Sequence, residues 1–422
     1  MKILTAKYIL PISSEPIENG ALVIDQDRIR FCGPLADLKK ESAAEKIDLG
    51  DCVIMPGLIN AHTHLEYHLS PPYDLASFSD LSGEPNYIRW LIQLSQYQDG
   101  LKVEEKQKAI EAGLEELKSC GVTTVVDWTT YEGSLSCYEA SGLRVVTFPE
   151  VMNLNQKLSQ DRFESALAFV DEVLAKDSSK IRAGLAPFAP YTLSKNLLKI
   201  FTQHLKSLQI PLQIHTSTSF AEMEFFYDSK GDIANLLFPY IGWGEQLPPP
   251  HQKTPIQYLN DIEFLSAKPA LVGCTHLGPT DLALIARSGS SVVYCPRANE
   301  TLGLGKTPLR KMIEQKIPIA LGSEQKACVA DLDFWKDLKC AYELNTNESI
   351  TAREILEMAT LGGARSLNLQ KEIGSLEKGK FADLIVLSIP ENTHLGNVEQ
   401  QLIEHASKRS VQMKWVAGEE IK

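Results

Sequence analysis

The stretch that decides the fold is MPGLINAHTHLE, residues 55–66. The Pro56-Gly57 pair within it is a strong turn signal, and apolar residues lie on both sides. We count the run Val53–Leu58 as the first of a series of buried strands. Two histidines close the stretch, His62 and His64, and residues two apart share one face of an extended chain. Both imidazoles can therefore point at one ligand.

Apolar runs alternate with helical patterns further along the chain. Ile110, Leu114 and Leu117 recur at helical spacing, and Gly121 follows where a helix ends. Eight strand–helix units over about 310 residues favour a (β/α)8 barrel with insertions, while periodicity alone leaves a doubly wound open sheet as the alternative. No Gly-x-Gly-x-x-Gly motif follows a strand, which counts against dinucleotide binding. The seven strand runs after the first are Val122–Val126, Leu143–Phe148, Ile181–Leu185, Ile210–Ile214, Ala270–Cys274, Ser291–Cys295 and Ile317–Leu321.

Both ends of the chain have the pattern of short strands. Residues 21–31 have a hairpin pattern with a polar turn, and residues 382–387 form an apolar run after a turn-rich lead. We therefore predict a small composite β-sandwich domain built from residues 1–54 together with 373–422, around a barrel domain at residues 55–372. Residues 220–262 form the least regular stretch, and we expect either a surface loop or a segment over the active face.

Composition and charge restrict the functional class. The 422 residues carry 42 Lys+Arg against 54 Asp+Glu, a net charge of −12. This balance argues against nucleic-acid binding, because a phosphate backbone selects basic surfaces. No apolar run reaches the length of a membrane span, and the first residues lack a signal-peptide core. The eight cysteines include no Cys-x-x-Cys pair and indicate reduced thiols. We expect a cytoplasmic protein that acts on small molecules, without nucleic-acid or membrane partners.

Histidines recur where predicted strands end. His215 follows residues 211–214, and His276 follows residues 271–275. Catalytic groups of barrels collect at the carboxyl ends of the strands, so we expect these two to converge with His62 and His64 over one barrel mouth. Glu324 follows the eighth strand run and is placed to complete a metal site or to act as a base. Imidazole and carboxylate ligands suit one divalent ion, with zinc, iron(II) and manganese as alternatives.

At this point the sequence resembles the amidohydrolase superfamily, over nearly the whole chain. The resemblance is closest to its deaminase branch, which includes cytosine, guanine, S-adenosylhomocysteine and aminodeoxyfutalosine deaminases. The stretch from His215 to Phe226 looks most like the aminodeoxyfutalosine enzymes, which act on a 6-aminopurine nucleoside in a menaquinone route. The motifs that carry the resemblance are residues 55–66, 189–192, 295–299, 359–365 and 374–387.

The resemblance implies a fold, a chemistry and a role for each site residue. The fold is the barrel with a composite β domain, often assembled as a homo-oligomer, and the chemistry is hydrolysis by a metal-bound hydroxide. Zinc is the metal that the resemblance favours. His62, His64, His215 and Glu324 would be the ligands, with Glu324 also taking the proton of the water. His276 would polarise the substrate or hold the attacking water. Substrate contacts would fall to Glu66, Phe188, Thr218 and Arg297.

Several positions depart from the pattern of that branch. Thr218 stands where the branch has a glutamate that shuttles protons, and losing such a group typically costs 10²–10⁴-fold in rate. Glu324 replaces an aspartate, and Phe188 replaces a substrate-binding histidine. Gly273 and Tyr294 stand where relatives often carry histidine.

These departures leave two hypotheses. In the first, the chain is a working deaminase of an amino-purine nucleoside or a related amino-heterocycle, in which Glu66, Glu222 or Glu224 supplies the missing carboxylate. Glu66 continues the alternation of His62 and His64 and is expected on their face. In the second, the chain is a catalytically impaired relative with a binding or assembly role.

Overall fold

The computed structural model describes residues 1–39, 44–70, 86–130, 133–152, 156–208, 210–244 and 247–422. Its strands alternate with helices through the middle of the chain and cluster at both ends. In chain order the strands are β1 (Lys2–Ile9), β2 (Ile17–Asp25), β3 (Arg28–Pro34), β4 (Glu45–Asp48), β5 (Cys52–Pro56), β6 (Leu58–Thr63), β7 (Val122–Thr129), β8 (Arg144–Val151), β9 (Ile181–Ala183), β10 (Ala186–Pro187), β11 (Gln213–Thr216), β12 (Ala270–Gly273), β13 (Ser291–Tyr294), β14 (Ile319–Leu321), β15 (Leu384–Ser388), β16 (Val411–Val416) and β17 (Glu419–Ile421).

The helices fill the connections between the central strands. No helix in the described ranges is both long and apolar enough to cross a bilayer. In chain order they are α1 (Tyr87–Gly100), α2 (Val103–Ser119), α3 (Ser134–Ser141), α4 (Gln156–Ala175), α5 (Lys195–Leu208), α6 (Phe220–Asp228), α7 (Phe238–Tyr240), α8 (Pro255–Asp261), α9 (Pro279–Ser288), α10 (Pro296–Thr301), α11 (Leu309–Glu314), α12 (Phe334–Leu344), α13 (Ala352–Glu357), α14 (Gly363–Ser366) and α15 (Val398–His405), with π-helical turns at Ile233–Leu237 and Met358–Gly362.

Eight parallel strand positions close into a barrel. β6, β7 and β8 pair in parallel, and β9 and β10 both pair with β8 and share the fourth position. β11 to β14 pair in parallel in chain order. Bridges between Leu185 and Leu212, and between Thr63 and Glu324, join the two sets into a ring. Every residue of β6 and β7 is buried, because helices cover the outside of a parallel barrel. The predicted fold class is confirmed.

The strands of the two chain ends form one eight-stranded sheet. Its order is β17-β16-β15-β5-β1-β2-β3, with β4 paired to β1. One face of the sheet has a hydrophobic cluster of its own, which includes Leu4, Leu22, Ile54, Leu384 and Trp415. The predicted β unit built from both ends is thus present as one continuous sheet. The domain boundaries remain a prediction, since β5 of this sheet extends to Pro56.

The first barrel strand was predicted one element too early. Residues 52–56 form β5, which pairs antiparallel with β15 in the sheet, and the first barrel strand is β6 at Leu58–Thr63. Gly57 joins them, and a Cβ atom there would collide with the side chain of Thr123. The chain therefore turns from sheet to barrel within a single residue, which two adjacent apolar runs do not reveal.

The stretch at residues 220–262 is more regular than predicted. Residues 242–244 and 247–250 do lie outside helices and strands. The rest includes α6 and α8, each of which begins after a side chain that caps it, Ser219 and Thr254. The glycines and prolines in the middle of this stretch suggested an irregular segment, although the short helices α6 and α8 lie on either side of them.

Candidate metal centre

Four side chains meet at the carboxyl-end mouth of the barrel. One ligand atom from each of His62, His64, His215 and Glu324 lies within 4.8 Å of the others. Glu324 Oε2 is 3.1 Å from His62 Nε2, and Glu324 Oε1 is 3.7 Å from His64 Nε2. These are the four ligands that the sequence analysis expects to lie together, and three nitrogens with one oxygen form a donor set of the zinc type.

The backbone holds the two histidines of β6 against Glu324. Glu324 donates its N–H to the carbonyl of His62 (3.1 Å), and His64 donates its N–H to the carbonyl of Glu324 (3.2 Å). Glu324 has a φ of +62°, a left-handed conformation that is uncommon for a residue with a side chain. The pair of backbone hydrogen bonds maintains that conformation and directs the carboxylate toward the imidazoles.

The chemistry of the four groups fits a divalent metal ion. Burial lowers the pKa of His62, His64 and His215 to about 3, so all three imidazoles are neutral at pH 7. The 3.1 Å contact between His62 and Glu324 is therefore not an ion pair. His62 Nε2 and His215 Nδ1 are buried and have no hydrogen-bond partner among the described residues. Buried nitrogens without a partner are costly, and a metal ion would satisfy them.

Glu150 is a site residue that the sequence analysis missed. It lies near the end of β8, and its Oε2 is 3.6 Å from His64 Nδ1. Burial, with the charges of Glu66 and Glu324, raises the pKa of Glu150 to about 8. The predicted strand run ended at Phe148, whereas β8 continues through Pro149 to Val151. The carboxyl group of Glu150 thus lies beside the second ring nitrogen of His64, at a distance longer than a hydrogen bond.

The space above the ligands is small and covered by α1. A chamber of about 30 Å³ lies beside His64, His215 and Glu324. It has room for about one or two water molecules. Its wall includes Phe188 and Glu150, and the residues that α1 contributes are Tyr87, Trp90, Leu91, Leu94, Ser95 and Gln98.

A larger cavity adjoins this chamber. It measures about 690 Å³, within the range of small-molecule sites, and shares Ser95, Gln98, Glu150 and Met152 with the chamber. The chamber beside the four side chains therefore opens toward a space of small-molecule size.

Thr218 and Phe188 both line the immediate surroundings of the cluster. The Phe188 ring lies 5.2 Å from the His215 ring, centroid to centroid. Thr218 lines a second small space together with His215, Gly273 and Glu324. Glu222 lies behind Thr218, where its carboxylate accepts the Thr218 N–H (3.0 Å), and burial raises the pKa of Glu222 to about 7.

Three residues predicted for the site lie outside the group of four side chains. β12 ends at Gly273, three residues before His276, and the His276 N–H donates to the carbonyl of Ser217, two residues after His215 (3.1 Å). The convergence of His276 with the other three histidines stays a prediction. The extended alternation of His62 and His64 does not reach Glu66, because β6 ends at Thr63.

Glu66 and Arg297 instead make polar contacts away from the ligands. Glu66 accepts a hydrogen bond from Thr129 (2.7 Å) and lies 3.4 Å from the Lys106 ammonium. Arg297 forms ion pairs with Asp331 (3.1 Å) and Asp337 (2.8 Å) and lines neither space beside the cluster. Substrate contacts by these two residues therefore find no support in the geometry.

The chain is a closed parallel barrel whose mouth carries three imidazoles and a carboxylate, and this combination defines a class of barrel proteins with a candidate metal centre. The family model described as the amidohydrolase family matches residues 53–421. The chain therefore belongs to the amidohydrolase family.

Three known proteins resemble this chain over nearly its whole length. A 5-methylthioadenosine/S-adenosylhomocysteine deaminase from Moorella thermoacetica is 28% identical over 421 residues, 97% of this chain and 91% of that protein. The aminofutalosine deaminase of Helicobacter pylori, in complex with methylthio-coformycin, has a TM-score of 0.84 at 21% identity and covers 100% of both chains. An adenosine deaminase from Xanthomonas campestris with bound zinc has a TM-score of 0.83 at 24% identity, over 99% of this chain and 92% of that one.

Proposed function

We propose that the protein is a metal-dependent deaminase that acts on an amino-purine nucleoside or a related amino-heterocycle. The observation that carries the proposal is the set of three neutral imidazoles and one carboxylate within 4.8 Å at the barrel mouth. The similarity to a deaminase of adenosine derivatives supports the substrate class. The reaction is hydrolytic: water replaces the ring amino group, a C–N bond breaks, and ammonia leaves.

We propose His62, His64, His215 and Glu324 as the ligands of one divalent ion, with zinc favoured and iron or manganese as alternatives. When bound there, the metal supplies Lewis-acid activation of water, which lowers the pKa of that water toward neutrality. Glu324 contributes charge and an oxygen that can hold the proton removed from the water. Glu150 lies next to His64, with its Oε2 3.6 Å from Nδ1, so the two side chains are adjacent without a hydrogen bond. The covering helix α1 excludes bulk water from the chamber.

The proposed substrate wall consists of Phe188 and Thr218. Phe188 offers an apolar ring face beside His215, which suits an aromatic base. Thr218 offers a hydroxyl, which cannot serve as an acid near neutral pH. Among the described residues, Glu150 and Glu324 are the two carboxyl groups that line the chamber. Since Glu324 is a proposed ligand, we propose that Glu150 is the carboxyl group nearest to the leaving amino group.

One observation favours the second hypothesis, that of a catalytically impaired relative. Gly273 has a φ of +100°, and a Cβ atom there would collide with the Thr218 hydroxyl. While Thr218 is present, position 273 therefore has no room for a longer side chain such as the histidine that relatives often carry there. The wall has neither that histidine nor the proton-shuttling glutamate expected at position 218, and both absences favour an impaired relative.

Metal content and ammonia release separate the two hypotheses. The purified protein is analysed for zinc, iron and manganese and then assayed for ammonia on a panel of aminopurine nucleosides and aminopyrimidines. Glu324→Gln serves as the matched control, because it removes the charge and keeps the shape. One metal ion per chain with ammonia release that Glu324→Gln abolishes supports the deaminase. Stoichiometric metal without ammonia from any compound contradicts it, and a Thr218→Glu variant that then gains release supports the impaired relative.

A further inference from the structure

One buried amide lies directly beneath the ligand cluster. Gln213, the first residue of β11, is fully buried inside the barrel. Its Oε1 accepts a hydrogen bond from Trp128 Nε1 at 2.8 Å and lies 3.4 Å from His62 Nδ1. Its Nε2 donates to the carbonyl of Ala61 at 3.0 Å. The amide thus contacts the His62 ligand on the side away from the other ligands.

The two outer partners fix which way the amide points. An indole N–H can only donate, and a backbone carbonyl can only accept. The oxygen of Gln213 must therefore face Trp128, and the nitrogen must face Ala61. Since His62 Nδ1 faces that same oxygen, a favourable contact requires the ring proton on Nδ1. His62 Nε2 then carries the lone pair and faces Glu324 Oε2 at 3.1 Å.

We propose that Gln213 is a positioning residue that holds His62 in the Nδ1–H tautomer, with Nε2 ready to bind the metal ion. The inference rests on the proposed metal centre and adds a residue to it. A metal-binding histidine needs its second nitrogen held by an acceptor, which sets the tautomer and the ring orientation. Gln213 lies two residues before the ligand His215, so the same strand places both groups on the inner face of the barrel.

The arrangement joins two of the four proposed ligands. The Trp128 ring that anchors the amide lies 4.9 Å from the His62 ring and 4.9 Å from the His215 ring. A purely structural role would be to pair the buried Trp128 N–H and the Ala61 carbonyl, and that role would not fix the His62 tautomer. The tautomer of His62 is therefore the readout that separates the two roles.

The test compares Gln213→Met with Gln213→Glu. Methionine keeps the length and removes the acceptor. Glutamate keeps an acceptor oxygen for Trp128 and His62, and its protonated carboxyl group can still donate to the Ala61 carbonyl. Zinc affinity is measured by competition with a chromophoric chelator. The tautomer is read from ¹⁵N–¹H spectra of ¹⁵N-histidine-labelled protein with and without zinc, and the His62 signals are assigned from a His62→Asn spectrum. Thermal melting by circular dichroism checks that each variant folds.

The expected result for Gln213→Met is a 10–100-fold weaker zinc affinity and loss of the single Nδ1–H pattern of His62. Gln213→Glu is expected to keep the Nδ1–H pattern and to bind zinc within about tenfold of the wild type. Wild-type zinc affinity in Gln213→Met, or an unchanged tautomer in metal-free Gln213→Met, overturns the proposal. The tautomer is read without turnover, so wild-type protein that shows the pattern but releases no ammonia contradicts only the proposed function.

Discussion

The ion pair between Arg144 and Asp383 joins the barrel to the terminal sheet, and breaking it should be costly. Arg144 begins β8, at the end of the barrel opposite the ligands, and Asp383 immediately precedes β15. Their side chains are 1% and 2% exposed. The contact is bidentate, with Arg144 Nε 2.8 Å from Asp383 Oδ2 and Nη2 3.2 Å from Oδ1. Asp383 also accepts the Ala417 N–H at 2.7 Å, and the Arg144 guanidinium stacks 4.6 Å from the Phe381 ring.

The expected cost follows from this burial. Arg144→Met removes one charge and leaves the Asp383 carboxylate buried without its partner, which typically costs about 3–5 kcal/mol. For 422 residues the unfolding entropy is about 0.9 kcal/mol per kelvin, so the melting temperature should fall by about 3–6 °C. The double variant Arg144→Met/Asp383→Leu should recover part of the loss, because no uncompensated charge remains.

Urea unfolding followed by circular dichroism measures these free energies. The control is Lys176→Met, which breaks a surface pair of Lys176 with Glu139 at 3.1 Å whose side chains are 47% and 45% exposed. That variant should change the free energy of unfolding by less than about 1 kcal/mol. Zinc affinity should be the same in all of these variants. A loss in Arg144→Met no larger than in the control, or a double variant less stable than Arg144→Met, would refute the reasoning.

Three further predictions concern the site. Glu324→Gln removes the one carboxylate among the proposed ligands. The zinc affinity of this variant, measured by chelator competition, should fall more than it does when a residue that only supports a ligand is changed, which typically costs about 10–100-fold. Wild-type affinity would contradict the role of Glu324 as a ligand. Glu222 has its pKa raised to about 7 from 4.5, so its contribution to stability is complete below pH 4.5 and is lost as the pH rises through 7. Urea unfolding of metal-free protein should show this loss, on the order of 3 kcal/mol, in wild type and in the Glu224→Gln control but not in Glu222→Gln. Phe188→Leu removes the ring beside His215 and should raise KM about tenfold with kcat within about threefold; an unchanged KM would remove Phe188 from the substrate wall.

The local patterns were sufficient to predict the barrel and the meeting of four polar side chains at its mouth. Parallel strands bring their carboxyl ends to one mouth, and His62, His64, His215 and Glu324 stand at or after such ends, so the pattern predicted that they lie together. The backbone turns between β12 and His276, with positive φ at Gly273 and Cys274, and apolar periodicity does not indicate a turn of this kind. The role of His276 at the barrel mouth therefore stays a prediction.

The remaining differences have equally specific causes. Arg297 pairs with Asp331 and Asp337, contacts between distant segments that no local pattern encodes. Glu150 was missed because it lies beyond Phe148, the end of the predicted strand run, and after Pro149. Gln213 had a readable signal, since a polar residue two positions before a strand-end histidine shares its face, but an isolated amide within an apolar run does not by itself indicate a metal site.

The central claim is that the four ligands hold one catalytic metal ion, and X-ray absorption at the zinc K-edge tests it most directly. Protein loaded with one equivalent of zinc should show three imidazole nitrogens and oxygen scatterers at about 2.0–2.2 Å, with no sulfur shell at about 2.3 Å. His62→Ala should lose one imidazole. A spectrum with fewer than three imidazoles, a sulfur shell, or no change in His62→Ala would contradict the account.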